Sequence, residues 1–201
     1  VSSTTDNEFE LWLDGDPVAL TAGDNWKQAS INPEDLGPGE HVIAVRAWNH
    51  PGTGSNPAAF LASITAPENI FLPPPLYDQI LTDAQWRVAP EADVPSDDPW
   101  KEIGYADDSS PWEDAYQIAT NDDTGSIWQD VNNGPVAGIA GDAWWIWTEN
   151  YESNGADSPV YLRRSFSVAA IPEPVTMFCG FFAVGSLGAY MRRHGRRRAD
   201  A

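Results

Sequence analysis

A chain of 201 residues with a formal net charge of −19 is long enough to bury a hydrophobic core and is strongly acidic. The acidity lies in residues 1–171, which carry six Lys/Arg against 28 Asp/Glu, whereas residues 172–201 carry five Arg against two acidic side chains. Because affinity for nucleic acid depends on basic side chains that neutralise phosphates, this composition argues against a nucleic-acid partner.

The first third of the chain predicts short strands joined by turns. Alternating apolar and polar residues over 8–20 predict a half-buried strand that turns at Asp14–Gly15 into a hairpin. A second strong strand is predicted at Val42–Trp48, directly after a Pro-Gly turn. The apolar run Ala59–Ile64 is predicted to be the partner of that strand.

The middle of the chain contains fewer regular patterns. Residues 82–88 predict a short strand, and residues 105–115 predict a turn with Trp112 anchored beneath it. Residues 119–142 are rich in Gly, Asn and Asp, which indicates irregular structure.

Two strands, Trp144–Thr148 and Val160–Val168, are predicted to close the body of the chain. About seven short strands separated by turns favour an all-β fold, a β-sandwich. Residues 142–168 alone are too few for an independent core, so we expect them to complete the same sandwich rather than open a second one. If Val160–Val168 is regular, Arg163 and Arg164 point to opposite faces, and one of them is expected to pair with an acidic neighbour.

Several of these pieces resemble the galactose-binding-like jelly rolls that occur beside or inside bacterial glycoside hydrolases. The resemblance implies a jelly-roll β-sandwich over residues 1–170, and it is informative about fold more than about ligand. Where that pattern has Asn after its Pro-Gly turn, this chain has His41, so one turn contact is expected to differ. The matching pieces are Phe9–Gly15, Leu36–Asn49, Thr82–Trp86, Asp107–Ala115 and Trp145–Val168.

The C-terminal region, residues 171–201, has a different composition. Pro172, Glu173 and Pro174 form an extended spacer, and the next 17 residues, 175–191, carry no charge. As a helix this run would be about 25 Å long, the short end of what spans a bilayer core. An Arg-rich tail over residues 192–198 follows, and the positive-inside rule places such a tail on the cytoplasmic side. Its basic residues are Arg192, Arg193, Arg196, Arg197 and Arg198.

This order of parts resembles the PEP-CTERM protein-sorting signal. The resemblance implies an exosortase as partner, with Pro172, Glu173 and Pro174 as the processing motif, and a Gram-negative host that makes exopolysaccharide. It also implies an extracytoplasmic body, held at the inner membrane by the 175–191 helix before processing and then found at the cell surface or in the matrix. A plain single-pass anchor and a buried core helix are the alternatives. Residues 1–10 show no signal-peptide pattern, so the chain is expected to be a mature form or a fragment.

No catalytic motif stands out, so we expect a protein that is not an enzyme. There is no Gly-x-Ser-x-Gly elbow, no phosphate-binding glycine loop and no His pair at metal-ligand spacing. Sugar binding is the favoured chemistry, because aromatic rings stack on pyranose C–H faces while polar side chains bind hydroxyls. The candidate sugar contacts are Trp26, Trp48, Asn49 and Trp100, with packing as the alternative role. Core positions are predicted for Trp12, Trp86, Trp112, Trp145 and Trp147.

No cofactor is expected, although calcium remains a candidate. Its hard oxygen ligands could come from Asp97–Asp98, Asp107–Asp108 or Asp122–Asp123, none of which follows an EF-hand spacing. Adjacent aspartates are more often solvated turn formers.

The sequence thus predicts an exported, non-enzymatic protein that binds extracellular polysaccharide or is embedded in it. A structural matrix protein with no small ligand is one alternative. The other is an accessory fragment of a larger exported glycoside hydrolase.

Overall fold

The computed structural model describes residues 2–21, 30–31, 36–52, 56–64, 79–95, 99–128, 134–152 and 159–168. The regular secondary structure of this part of the chain is almost entirely β-strand, with one turn of 3-10 helix at Glu91–Asp93. Its strands are β1 Ser2–Asp6, β2 Glu8–Leu13, β3 Asp16–Thr21, β4 Ser30–Ile31, β5 Gly39–Trp48, β6 Ala59–Ile64, β7 Ile80–Leu81, β8 Arg87–Pro90, β9 Glu113–Asp114, β10 Tyr116–Thr120, β11 Trp144–Trp147 and β12 Val160–Val168.

The strands form two antiparallel sheets. Sheet A has the order β10-β11-β6-β1-β4, with β7 also paired to β6. Sheet B has the order β3-β2-β5-β12-β8-β9. The prediction of an all-β fold is therefore confirmed, and all of these strands fall within one compact unit, Val1–Ala169.

The β2–β3 hairpin turns at Asp14 and Gly15, as the sequence predicts. Both residues have positive φ, 54° and 88°, which is what a two-residue hairpin turn requires of its central positions. An added Cβ at Gly15 would lie 2.7 Å from a carboxylate oxygen of Glu102, but that is the end of a flexible side chain, so the positive φ is what favours glycine here.

Strand β5 is the central scaffold of sheet B. It pairs with β2 on one side and with β12 on the other, where the register runs from Val160 opposite Ala47 to Val168 opposite Gly39. With both edges paired, β5 holds its alternate side chains at fixed positions on the two faces of the sheet. This strand carries the candidate contact Trp48 at its end.

The core lies between the two sheets. Phe9, Val45 and Leu162 of sheet B pack there with Phe60 and Ile146 of sheet A. The rings of Phe9 and Phe60 meet edge to face with centroids 5.8 Å apart. Such burial of aromatic and branched side chains is the main stabilising contribution to a sandwich of this kind.

Each sheet also has a covered outer face. Residues 99–112, the sheet B cover, pack Trp100, Tyr105 and Trp112 against Ala44 and Tyr161 of that sheet. Residues 121–128 and 134–143, the sheet A cover, pack Trp128, Val136 and Ile139 against Leu61 and Trp145. Because β6 lies between the core and this cover, all six of its residues are buried.

Two sequence predictions about strands require correction. Strand β6 is not the partner of β5, because it pairs with β1 in the opposite sheet, where Phe60 faces the core. The strand predicted over residues 82–88 begins only at Arg87. Before it, the Asp83 carboxylate accepts a hydrogen bond from the Gln85 amide, a turn interaction that competes with strand pairing.

The two closing strands complete one fold, as expected, but they do so in different sheets. Strand β11 pairs with β6 and β10 in sheet A, and β12 pairs with β5 and β8 in sheet B. Among the residues that the structure describes, no helix is long and apolar enough to cross a bilayer. The predicted segment 175–191, the 172–174 motif and the 192–198 tail lie outside those residues.

Candidate functional site

Trp48 lies on the outer face of sheet B, at the end of β5. The alternation of β5 places Ala44, Arg46 and Trp48 on this face and Ile43 and Val45 in the core. The Trp48 ring is half-buried, and the guanidinium carbon of Arg46 lies 4.5 Å from its centroid. This distance is that of a cation-π contact, which holds the ring in one orientation.

Arg46 joins this ring to two carboxylates. Its Nη2 lies 2.8 Å from Oε1 and 3.0 Å from Oε2 of Glu91, and its Nη1 lies 3.7 Å from Oε2 of Glu10. Burial alone would lower the pKa of Arg46, but its hydrogen bond and ion pair with Glu91 outweigh that effect and raise the pKa. The guanidinium is therefore a permanent positive charge between two glutamates.

Tyr161 also contacts the Glu91 carboxylate. Its hydroxyl donates a 2.8 Å hydrogen bond to Oε1 of Glu91. Burial, and then the hydrogen bond to Glu91, raise the pKa of Tyr161 to about 12. The phenol is thus a neutral donor at physiological pH, and it fixes the orientation of the Glu91 carboxylate.

A second pair of side chains flanks Trp48 on the side of β2. Glu8, directly opposite Trp48 in the sheet, lies 3.3 Å from Nε2 of His50. About half of the His50 side chain is exposed, so this edge of the cluster is open to solvent. We call Glu8, Glu10, Arg46, Trp48 and Glu91 the Trp48 cluster.

Asn49 has a structural position next to this cluster. It is 3 % exposed, and its Nδ2 donates to the Asn56 backbone oxygen at 2.7 Å. Asn56 returns hydrogen bonds to Asn49 Oδ1 at 2.8 Å and to the His50 backbone oxygen at 2.6 Å. These reciprocal hydrogen bonds order the chain that follows β5. They explain why the Asn49 side-chain amide is buried without assigning it a ligand.

Trp100 does not join Trp48 at an open surface. Only 4 % of Trp100 is exposed, its ring stacks on Tyr161 with centroids 4.1 Å apart, and Trp12 meets it edge-on at 5.6 Å. The packing role is therefore the one that this geometry favours for Trp100. The other predicted contact, Trp26, lies outside the described residues.

Three of the candidate calcium ligands, Asp107, Asp122 and Asp123, are engaged in turns or an ion pair. Asp107 lies 2.8 Å from Nη1 of Arg163, and Asp122 accepts a 2.8 Å hydrogen bond from the Thr120 hydroxyl. Asp123 accepts from the Gly125 amide at 2.9 Å. In the described parts of the chain no three His, Cys, Asp or Glu side chains come close enough to share a metal ion. Asp97 and Asp98 lie outside those parts.

The Trp48 cluster combines an aromatic ring with carboxylates and one guanidinium. Such a set can stack on an apolar sugar face, accept hydrogen bonds from hydroxyls and donate to ring or hydroxyl oxygens. Sequence reasoning found Trp48 but missed Arg46, Glu91 and Tyr161. The period-2 alternation of β5 could have predicted that Arg46 lies on the same face as Trp48. Glu91 is distant from both in the sequence, and only the tertiary structure brings it to the cluster.

Comparisons with protein-family models, with curated proteins and with solved structures find no match to this chain. The function must therefore be inferred from the chain's own residues. Two regions carry that inference: the Trp48 cluster on sheet B and the C-terminal motif that begins at Pro172.

Proposed function

We propose that this is an exported, surface-sorted, non-enzymatic protein whose β-sandwich binds extracellular polysaccharide. The observation that carries the proposal is the contact of Trp48 with Arg46, between Glu10 and Glu91 on the outer face of sheet B. A half-buried ring held by a guanidinium is rigid before any ligand arrives, so its binding costs little conformational entropy.

A pyranose unit suits this arrangement. Its C–H face can lie on the Trp48 ring, while its hydroxyls donate to the carboxylates of Glu8 and Glu10, which keep 24 % and 33 % of their side chains exposed. A long polymer would extend from the cluster across the open edge beside His50. Calcium is not part of the proposal at this site.

The location rests on the C-terminal region. The Pro172-Glu173-Pro174 motif, the uncharged 175–191 segment and the 192–198 Arg-rich tail support sorting by an exosortase. In this proposal the 175–191 helix anchors the protein in the inner membrane, and processing then releases it to the cell surface or the matrix. The sandwich, assigned here to the jelly-roll, galactose-binding-like type, faces the outside throughout.

Isothermal titration of the 201-residue chain in mild detergent tests the ligand. The titrant is exopolysaccharide from the host, with and without Ca²⁺. Saturable heat that Trp48→Ala abolishes supports polysaccharide binding at the cluster. A matched control is Tyr116→Ala, which removes an aromatic ring, 42 % exposed, from a strand of sheet A.

Two results would contradict binding at this site. If the Tyr116→Ala variant lost binding to the same extent as Trp48→Ala, the effect would not belong to the cluster. If no heat appeared with either buffer, the protein would be a structural matrix component instead.

Mass spectrometry of the protein from its host tests the sorting step. Trimming of the C-terminus is expected in the surface fraction and should stop when Pro172, Glu173 and Pro174 are all replaced by alanine. If the surface fraction contained intact Arg196–Arg198, processing would be contradicted. The C-terminal region would then be a plain membrane anchor.

A further inference from the structure

A cavity of about 330 Å³ lies beside the core-facing side of β12, away from the Trp48 cluster. Arg164 and Phe166 contribute to its wall, together with residues of β7 and of the turn before β8: Gln79, Ile80, Leu81, Asp83 and Gln85. Arg164 has the same strand parity as Leu162, which packs in the core, so its side chain enters the cavity from between the sheets.

Arg164 differs from the other arginines of the sandwich in its partners. Arg46 pairs with Glu91, Arg87 with Asp114 and Arg163 with Asp107. Among the described residues Arg164 has no carboxylate within ion-pair distance, although residues 1–171 carry 28 Asp/Glu. A guanidinium with no ion-paired carboxylate among the described residues can take an anionic ligand as its partner.

The hydrogen bonds of Arg164 orient it without using all of its donors. Nη1 donates to the Gln85 backbone oxygen at 2.9 Å, and Nη2 donates to Gln85 Oε1. The Nε atom is buried and has no partner among the described residues, so it is closed to a ligand. Because each terminal nitrogen carries two N–H groups, one on Nη1 and one on Nη2 remain, enough for two bonds to a carboxylate. Burial lowers the pKa of Arg164, and attraction to Asp83 only partly offsets this effect.

The remaining wall suits a sugar ring. Gln79 and Asp83 bring an amide and a carboxylate to the cavity, and Ile80 and Leu81 form an apolar patch. The volume lies at the small end of the range for ligand sites, which begins at about 300 Å³. It admits one small ring with polar substituents rather than an extended chain.

We propose that this cavity binds a carboxylate-bearing sugar, a uronate, with the carboxylate on Arg164 and the ring against Leu81 and Phe166. The proposal goes beyond polysaccharide binding at the Trp48 cluster and does not depend on it. The Arg164 guanidinium supplies the selectivity for charge, and the hydroxyl-binding groups supply the selectivity for a sugar over a simple anion.

The test is a titration of the ¹⁵N-labelled 201-residue chain, in mild detergent, with glucuronate, glucose and acetate in parallel. We expect saturable shifts of the Gln85, Ser165 and Ser167 amides with glucuronate, and binding of glucose and of acetate that is weaker by about tenfold or more. Equal binding of glucose would overturn the role of Arg164, and equal binding of acetate would reduce the cavity to an unspecific anion site. Shifts confined to the Trp48 cluster, or none, would overturn the cavity itself.

Variants separate recognition from folding. Arg164→Gln is expected to weaken glucuronate binding by about tenfold to a hundredfold, and Arg164→Lys, which keeps the charge but loses the planar fork, by less. Arg87→Gln, a change in a neighbouring strand outside the cavity wall, should bind as the parent chain does. Undiminished binding by a folded Arg164→Gln chain, judged from its amide spectrum, would overturn the proposal. If that variant fails to fold, the Arg164→Lys titration decides.

Discussion

The two sheets hold their outer covers by different chemistry. Every Lys and Arg side chain among the described residues belongs to a strand of sheet B or to its cover, and the strands of sheet A contain none. Sheet B therefore combines β-pairing with ion pairs, whereas sheet A relies on neutral amides and stacked rings. The five basic residues are Arg46, Arg87, Lys101, Arg163 and Arg164.

Arg163 is the main link between sheet B and its cover. Its side chain is fully buried, and its Nη1 lies 2.8 Å from both the Tyr105 backbone oxygen and Oδ2 of Asp107. Nη2 donates to the Glu102 backbone oxygen at 3.3 Å. Burial lowers the pKa of Arg163, with Asp107 opposing that effect, so the pair is needed to keep a buried charge satisfied.

In the sheet A cover, Asn121 joins the segment 121–128 to the segment 134–143. It is 1 % exposed, and its Nδ2 donates to the backbone oxygens of Val136, Ile139 and Ala140 at 3.2, 3.1 and 3.3 Å. Its Oδ1 accepts a 2.8 Å hydrogen bond from the Val136 amide. The same cover carries Trp128, whose ring stacks on Trp145 with centroids 4.8 Å apart.

From this difference we predict how the stability of each cover should respond to pH and to salt. Charged contacts depend on pH and, where solvent reaches them, on salt, whereas amide bonds and stacked rings do not. The two covers can therefore be tested separately, by one substitution on each side and by a change of pH.

The largest effect is expected for Arg163→Met. Removing the cation leaves Asp107 and two backbone oxygens without their donor, which should lower the free energy of unfolding by about 3 kcal/mol. Urea unfolding followed by tryptophan fluorescence measures this loss. The control Arg164→Met, next in sequence and without an ion pair among the described residues, should cost about 1 kcal/mol or less. Equal losses would show that the buried pair with Asp107 is not what holds the cover.

A smaller effect is expected for Asn121→Ala. Four backbone groups lose their side-chain partner, which should lower the free energy of unfolding by about 2 kcal/mol. The loss should be the same at about 0.05 M and about 1 M NaCl, because no charge is involved. Thr124→Ala, an exposed change in the same cover, should be close to neutral. A strong salt dependence of the Asn121→Ala loss would contradict the neutral character of this side.

The smallest effect on stability is expected from the protonation of His41, which joins β5 to the hairpin turn. Its Nδ1 lies 2.7 Å from Oδ2 of Asp14 and its Nε2 lies 2.8 Å from the Gly37 backbone oxygen, so both nitrogens face acceptors. Burial alone would lower the pKa of His41, but these two hydrogen bonds and attraction to Asp14 and Glu40 raise it above 6.5.

A raised pKa means that protonated His41 stabilises the folded state. The contribution is fully present below pH 6.5 and is lost as the pH rises through the folded-state pKa. The urea concentration at the unfolding midpoint, measured on both sides of that pKa, should therefore fall with rising pH. The substitution His41→Asn should remove the part of this fall that comes from His41. An unchanged pH profile in the His41→Asn chain would show that the turn does not depend on the imidazolium.

Local patterns predicted the strands better than their partners. The Asp14–Gly15 turn, the β5 strand and the β12 strand follow from turn residues and period-2 alternation, which act over a few residues. The partner of Ala59–Ile64 could not be predicted in this way, because a run that is apolar at all but one position has no preferred face and fits either sheet.

For the tryptophans, too, the sequence predicted some positions correctly and the tertiary structure decided the others. Trp86, Trp145 and Trp147 are buried in or beside the core as predicted, since large aromatic rings seldom remain exposed in strands. Trp12 is only half-buried, because it lies on the outer face of sheet B against Trp100 and Lys101. Trp100 in turn was expected near a ligand, but the cover to which it belongs places it against Tyr161.

By itself, the sequence determined that the chain is β-structured, that its main hairpin turns at Asp14, and that Arg163 and Arg164 face opposite ways with one of them ion-paired. Only the tertiary structure decided that Arg163 is the paired one. The physical reason is that the carboxylate comes from Asp107 in the sheet B cover, which packs only on the outer face, so the residue on the other side of β12 meets a cavity instead. Alternation selects a face locally, but what covers that face is set by residues far away in the chain.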